Sequence, residues 1–120
     1  MIRKLAFVLA STLALAATAS AQSPKMISIT LHNRDNDDLR VHLFDRNQGG
    51  KDLYNAAILK QGRDATVQVM TDASGKGRVQ WMAQTVTGPG LKCQKADVAG
   101  VNGGATINVA GGVSGYGSSC

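Results

Sequence analysis

The stretch that decides the fold is ATVQVMTDASGKGRVQWMAQTV, residues 65–86. Its two halves alternate apolar and polar side chains on either side of the segment DASGKG, residues 72–77. A β-strand repeats its side-chain direction every two residues, so each half has one apolar face. Asp, Ser and Gly are typical of turns, because they tolerate positive φ or bond their own backbone. The pattern predicts a β-hairpin that carries the only tryptophan, Trp81, on its inner face opposite Val67 or Val69.

A second pair of alternating segments lies upstream of this one. Residues 25–32 and 39–44 each have an apolar face, and the polar residues 33–38 connect them. The pattern predicts a second hairpin with His32 and His42 on its outer face. In the expected register these two histidines lie about 13 Å apart, which is too far for them to share a zinc ion. We therefore interpret them as two solvated strand residues.

The composition favours strands and turns along the whole chain. There are 14 glycines, and all eight acidic residues are Asp. Six or seven short strands follow one another about every ten residues, so the sequence predicts an all-β domain. We expect a small antiparallel β-sandwich of immunoglobulin-like two-sheet architecture, with a small barrel as the alternative. Trp81 is expected to pack with Ile29, Val41 and Ile107, whereas residues 53–60 fit either a short helical turn or a crossover strand.

The first 21 residues have the pattern of an export signal. Arg3 and Lys4 precede an apolar run at 5–17, and Ala-Ser-Ala at 19–21 is a pattern that signal peptidase accepts. The run is too short to anchor the chain in a bilayer, and no other stretch comes close. We expect cleavage after Ala21 and a single mature domain, residues 22–120, in the periplasm or outside the cell. Without Arg3 and Lys4 the chain has eleven basic residues against eight Asp, a net charge of +3.

Two cysteines remain in the mature chain, Cys93 and Cys120. An even number of cysteines in an oxidising compartment predicts a structural disulfide. Their spacing fits neither a CxxC redox motif nor a zinc site. The bridge would close a loop of 28 residues and tie the last residue of the chain to a strand.

No motif in the sequence predicts catalysis. Gly-x-Ser-x-Gly is absent, and the Gly-Lys pair at 75–76 lies in a turn that is followed by Gly77 rather than Ser or Thr. The basic residues are spread along the chain without interleaved aromatics, so nucleic acid is not an expected partner. The sequence favours a protein that is not an enzyme. A hydrolase without a recognisable motif remains an alternative, to be considered if a nucleophile clusters with either histidine.

A calcium-dependent domain is another alternative. The acidic turn at 33–38 and the loop at 45–52 are rich in the oxygen ligands that Ca²⁺ prefers. The closing Glu of an EF-hand is absent, and Asp in turns also accepts hydrogen bonds from nearby N–H groups. The weak calcium candidates are Asp35, Asp37, Asp38, Asp45 and Asp52.

The polar faces of the hairpin at 65–86 suggest the main hypothesis. One arm presents Arg78, Gln80, Met82 and Gln84, and its neighbour is expected to present Thr66, Gln68 and Met70. Met adapts its shape to a partner and Arg anchors one, so this face can bind. We therefore expect a small binding or interaction module that recognises a protein or an envelope component.

Overall fold

The computed structural model describes residues 22–87 and 92–112. Within these residues the chain forms eight strands and one 3₁₀ turn, with no α-helix. No helix in this part of the chain is long and apolar enough to cross a membrane. The strands are β1 (Met26–Asn33), β2 (Leu39–Asp45), β3 (Lys51–Asp52), β4 (Ala57–Leu59), β5 (Asp64–Met70), β6 (Gly77–Thr85), β7 (Cys93–Val101) and β8 (Thr106–Val109); the 3₁₀ turn is Arg46–Gln48.

The strands form two sheets. Sheet A has the order β5-β1-β8, in which β1 is antiparallel to β5 and parallel to β8. Sheet B has the order β3-β2-β6-β7, and β4 pairs with β2 beside β3. All pairings in sheet B are antiparallel. The protein is therefore mostly β, with two mainly antiparallel sheets.

One hydrophobic core joins the two sheets. Trp81 on β6 is only 4% exposed, and it belongs to the same buried cluster as Ile29, Val41 and Ile107. The expected core partners of Trp81 are therefore confirmed. Ile29 and Ile107 come from sheet A, whereas Val41 and Trp81 come from sheet B. The two sheets thus turn their apolar faces towards each other.

Both predicted hairpins are wrong. Strands β1 and β2 lie in different sheets, and so do β5 and β6. The residues that flank Trp81 in its own sheet are Leu43 and Ala96, and the two valines of β5 belong to the facing sheet. Alternation specifies which face of a strand is buried, but that face points into the core from either sheet. Connections of five and six residues are long enough to cross the roughly 10 Å between packed sheets.

Buried polar side chains hold these two crossings. Asn33 is 1% exposed, and its Nδ2 donates to the carbonyls of Asp37 and Leu59 while its Oδ1 accepts from Asp35 N. In the second crossing Asn47 donates to the carbonyls of Met70 and Lys76. Each crossing thus begins and ends at fixed hydrogen bonds.

Asp45 fastens the second crossing to the end of β2. It is fully buried, and its carboxylate accepts from Met70 N at 2.8 Å, Asn47 N at 3.0 Å and Gln48 Nε2 at 2.7 Å. Met70 is the last residue of β5, so this carboxylate joins sheet B to sheet A. Burying a charge is costly unless hydrogen bonds compensate it, and here three donors converge on it.

Candidate functional site

The candidate row Arg78, Gln80, Met82 and Gln84 lies on the outer surface of sheet B. Residues that pair across strands share a face of the sheet, so the register brings side chains from β2 and β7 to this surface. We call it the outer B face. Its cross-strand rows are Ile58–Arg40–Gln84–Cys93, His42–Met82–Lys95 and Asp52–Phe44–Gln80–Asp97, and Arg78 extends it past the last row.

The centre of the outer B face is aromatic and apolar. His42, Phe44 and Met82 are all half-buried. The rings of His42 and Phe44 are parallel, with centroids 5.8 Å apart. Ile58 lies near one edge of the face and is 42% exposed, one of only two large hydrophobic side chains that exposed among the described residues. The middle of this sheet therefore offers apolar surface to a partner.

Basic side chains surround this centre. Arg40, Arg78 and Lys95 are exposed, and no carboxylate lies within 4 Å of them in the described part of the chain. Arg46 reaches across from the end of β2, donating to Gln80 Oε1 at 3.0 Å and lying 3.8 Å from Asp97. The surface thus combines a basic rim with a half-buried aromatic centre.

Asp52 fixes the orientation of His42. Its Oδ2 lies 2.6 Å from His42 Nδ1, and its Oδ1 accepts from the backbone N–H groups of Leu43, Tyr54 and Asn55. Partial burial acts to raise the pKa of the Asp52 carboxyl. The hydrogen bonds from His42 and from the three backbone groups outweigh it and hold the pKa below its ordinary value. An ionised carboxylate therefore anchors one ring nitrogen of His42.

The Asp52 carboxylate also bridges an interruption at the edge of sheet B. The predicted helical turn or crossover strand at 53–60 is instead a break between β3 and β4, and Asn55 and Ala56 in this break both have positive φ. Asp52 Oδ1 supplies Leu43 N with the acceptor that a neighbouring strand would otherwise supply. The geometry of His42 is thus tied to the integrity of the sheet edge.

His32 lies on the other side of the molecule, on the outer surface of sheet A. Its Nδ1 is 2.5 Å from Asp64 Oδ1, and Asp64 is 61% exposed. The two histidines therefore do not share one hairpin face, because β1 and β2 belong to different sheets. Thr66, Gln68 and Met70 lie on the same outer surface of sheet A, so the expectation that they neighbour the Met82 row is wrong.

The calcium candidates are divided between the two ends of β2. Asp35, Asp37 and Asp38 precede this strand and Asp45 ends it, about 23 Å further along. The first three already accept hydrogen bonds from Gly111 N, Thr87 Oγ1 and Gln61 N respectively. No group of three or more His, Cys, Asp or Glu among residues 22–87 and 92–112 is placed to hold a metal ion.

A nucleophile beside a histidine would have favoured the hydrolase alternative. The hydrogen bonds of both imidazoles in the described chain go to carboxylates, Asp64 and Asp52. The cross-strand neighbours of His42 and His32 in their sheets are Met82, Asp64 and Asn108. These contacts supply two members of a catalytic triad without a hydroxyl or thiol as the third.

Cys93 is buried at the start of β7. Cys120 and the expected signal at 1–21 lie outside the described residues. The disulfide and the cleavage after Ala21 therefore stay predictions.

Part of the outer B face was missed by the sequence patterns. The alternation at 39–44 predicts that Arg40, His42 and Phe44 face outwards, but it places them in a different hairpin from Met82. Lys95 and Asp97 carried no signal beyond an ordinary strand. The missing information was the register between β2, β6 and β7, which only the fold supplies.

Comparisons of the chain with protein-family models, with curated proteins and with solved structures found no significant match. The function therefore has to be argued from the site itself.

Proposed function

We propose that the protein is an exported binding module without catalytic activity, which recognises a protein or another envelope component through the outer B face. The observation that carries the proposal is the half-buried cluster of His42, Phe44 and Met82 inside a rim of exposed Arg and Lys. Aromatic residues, Met and Arg are enriched in protein interfaces. An unbranched Met side chain can also adapt to the shape of a partner.

The contrast with the outer surface of sheet A supports this choice of face. That surface presents mainly short polar side chains, including Ser28, Thr30, Thr66 and Thr106, and its apolar area is the Met26–Met70 pair at one end of the sheet. Among the described residues, the three strands of sheet A contain no Phe, Tyr or Trp and no Arg or Lys. The outer B face combines apolar contact area with positive charge, and the two together give affinity and orientation.

An immunoglobulin-like sandwich is the architecture we propose for the domain. In immunoglobulin domains strand B pairs with E in one sheet, and strands C, F and G form the other. The pairings β1–β5 and β2–β6–β7 match that scheme, and β8 occupies the place beside β1 where strand A would lie. The parallel pairing of β8 with β1 is a departure from the antiparallel pattern.

The proposed domain also includes a Cys93–Cys120 disulfide. The chain passes next to Cys93 shortly before it ends, since a Cβ placed on Gly112 would lie 3.0 Å from the carbonyl oxygen of Cys93. Cys120 is the eighth residue after Gly112, and eight steps of extended chain span about 26 Å. Cys120 is therefore within reach of Cys93.

A binding experiment tests the proposed face. The mature protein carrying an affinity tag would be used to isolate partners from the envelope fraction of exporting cells, and a recovered partner would be purified and titrated. We expect Met82→Asp to abolish binding, because it places a charge in the apolar centre. Lys95→Asp, at an exposed position of the rim, should weaken binding without affecting the fold.

The matched control is Gln68→Asp on the outer surface of sheet A, where Gln68 is exposed. This variant introduces the same charge on the opposite side of the molecule and should bind like the wild type. Melting curves would show that all three variants are folded. Equal binding by the Met82 and Gln68 variants would contradict the proposal, as would loss of binding by the Gln68 variant alone.

A further inference from the structure

The centre of the outer B face places an imidazole and a thioether side by side. His42 and Met82 are directly opposed across β2 and β6. Hydrogen-bonded and non-hydrogen-bonded residue pairs alternate along an antiparallel ladder. Val86 N donates to Asp38 O, so that pair is hydrogen-bonded, and two steps of two residues further along His42 and Met82 are hydrogen-bonded as well. In such a pair the Cα atoms are about 5.5 Å apart, with both side chains on the same face. Both side chains are half-buried.

The hydrogen bond to Asp52 determines which nitrogen of His42 can act as a ligand. The Asp52 carboxylate already accepts three backbone N–H groups, so it acts towards His42 as an acceptor. In the neutral imidazole Nδ1 therefore carries the hydrogen, and Nε2 keeps its lone pair. A carboxylate that holds the second nitrogen in this way is the usual support for a histidine metal ligand.

We propose that His42 Nε2 and Met82 Sδ bind a soft monovalent metal ion, Cu(I), on the outer B face. Thioether and imidazole are ligands that suit copper, and Cu(I) accepts two or three ligands. Zn²⁺ fits this pair poorly, because its usual protein ligands are thiolate, imidazole and carboxylate, and its sites use three or four of them. The parallel ring of Phe44 shields one side of the imidazole.

The surrounding charges favour a monovalent ion over a divalent one. Asp52 offsets one positive charge, whereas Lys95 lies beside Met82 in the same row and Arg40 lies two residues from His42. A divalent cation would experience twice the repulsion from these basic groups. The metal site goes beyond the proposed partner binding, although both involve Met82.

Titration with Ag(I), a surrogate for Cu(I) that does not change its oxidation state, tests the site directly. Any titratable thiols of the mature chain would first be alkylated, so that imidazole and thioether are the soft ligands that remain. We expect one equivalent of Ag(I) to shift the NMR signals of the His42 ring and the Met82 methyl group together. Met82→Leu, which keeps the side-chain volume, should abolish the shift at His42.

Two further variants probe the supporting groups. Asp52→Asn should lower the affinity about 10–100-fold, the usual effect of removing the partner of a metal-binding histidine. Lys95→Gln should raise the affinity, because it removes a positive charge next to the ion. Unchanged Trp81 fluorescence would show that each variant retains its core.

The chain contains its own control on sheet A. His32 also has a carboxylate at Nδ1, but its other cross-strand neighbour is Asn108 rather than a methionine. The His32 ring should not respond at the concentrations that shift His42. Met26 and Met70 form a thioether pair that can itself take up Ag(I), so it does not serve as a control. The proposal is overturned if His32 responds equally, if Met82→Leu leaves the His42 shift intact, or if the folded wild-type protein shows no shift at His42.

Discussion

Replacing Asp45 should destabilise the protein more than any other single change of a charged residue that we consider. The carboxylate is fully buried and holds Met70 N, Asn47 N and Gln48 Nε2. Asp45→Ala leaves these donors without their acceptor at the point where the two sheets are joined. Breaking a buried charged network typically costs about 3–5 kcal/mol, which in a domain of this size corresponds to a melting temperature lower by roughly 20 °C.

Asp45→Asn removes the charge and one acceptor oxygen while it keeps the volume of the side chain, so it shows how much of the loss in Asp45→Ala comes from volume alone. The amide retains one acceptor oxygen, but its NH₂ group would point at a donor, so we expect an intermediate loss of stability. Asp64→Asn is the matched control, because Asp64 is 61% exposed and, among the described residues, its carboxylate bonds only His32. That change should cost about 0–1 kcal/mol.

Thermal melting measures the loss of stability in these variants, and native-state hydrogen exchange measures the loss of the hydrogen bond to Met70 N. Thr71 N donates to the carbonyl of Lys25, the residue before β1, so Met70 N points to the open edge of β5, where Asp45 is its acceptor. The amide of Met70 should therefore be protected in the wild type and exchange rapidly in Asp45→Ala, which has no acceptor left. A melting temperature for Asp45→Ala equal to that of Asp64→Asn, with Met70 still protected, would refute this role of Asp45.

Four further predictions follow from the same contacts and from the sequence. Trp81→Ala should cost about 3–5 kcal/mol, because it empties part of the core, and Met82→Ala on the opposite face should cost far less; denaturant unfolding compares the two. The folded-state pKa of Asp52 is lowered, so its contribution to stability is present above the ordinary carboxyl value of 3.8 and is lost as the pH falls through the lower folded value. The difference in melting temperature between wild type and Asp52→Asn should therefore be larger at neutral pH than at low pH, and a difference that does not change with pH would contradict this. Thiol titration of exported protein should find no free Cys93 or Cys120, and reduction should lower the melting temperature by roughly 10–30 °C; two reactive thiols would contradict the bridge. Intact-mass measurement of the same material should show Gln22 as the first residue, and retention of Met1 would contradict export.

The sequence was sufficient to predict the faces of the strands. Alternation placed Ile29, Val41, Trp81 and Ile107 on inward faces, and all four are buried. This succeeds because a two-residue period is a local property of an extended chain. The pairing of strands is not local. A strand shows the same alternation whether the next strand in sequence pairs with it in one sheet or lies in the opposite sheet. The sequence pattern therefore wrongly joined neighbouring strands as hairpins.

The polar residues at the strand ends illustrate the same limit. Asn33 and Asp45 are the last residues of β1 and β2, at positions whose side chains face inwards, and both are buried. The alternation of each strand predicts that these positions are buried, but Asn and Asp at strand ends are also common turn residues. A buried Asn or Asp that joins distant segments differs from a turn residue in its hydrogen-bond partners. Here those partners are Leu59 and Met70, which are far away in sequence and leave no local pattern.

The sequence predicted the separate parts of the candidate site but not how they come together. The row on β6 could be identified from its alternation, and His42 and Phe44 were correctly placed on an outer surface. Their union into one face depends on the register of β2 with β6, and the orientation of His42 depends on Asp52, ten residues further along the chain at the end of β3. The number of residues in the connecting loops does not determine either feature.

Site-specific photocrosslinking in exporting cells tests the central claim most directly. A photoreactive residue would replace Met82 in the centre of the outer B face, and in separate variants Gln68 or Thr106 on the outer surface of sheet A. We predict a discrete crosslinked adduct from position 82, which mass spectrometry would identify as one partner, and no adduct from positions 68 and 106. Adducts from the sheet A positions without one from position 82 would contradict the assignment of the outer B face as the binding surface.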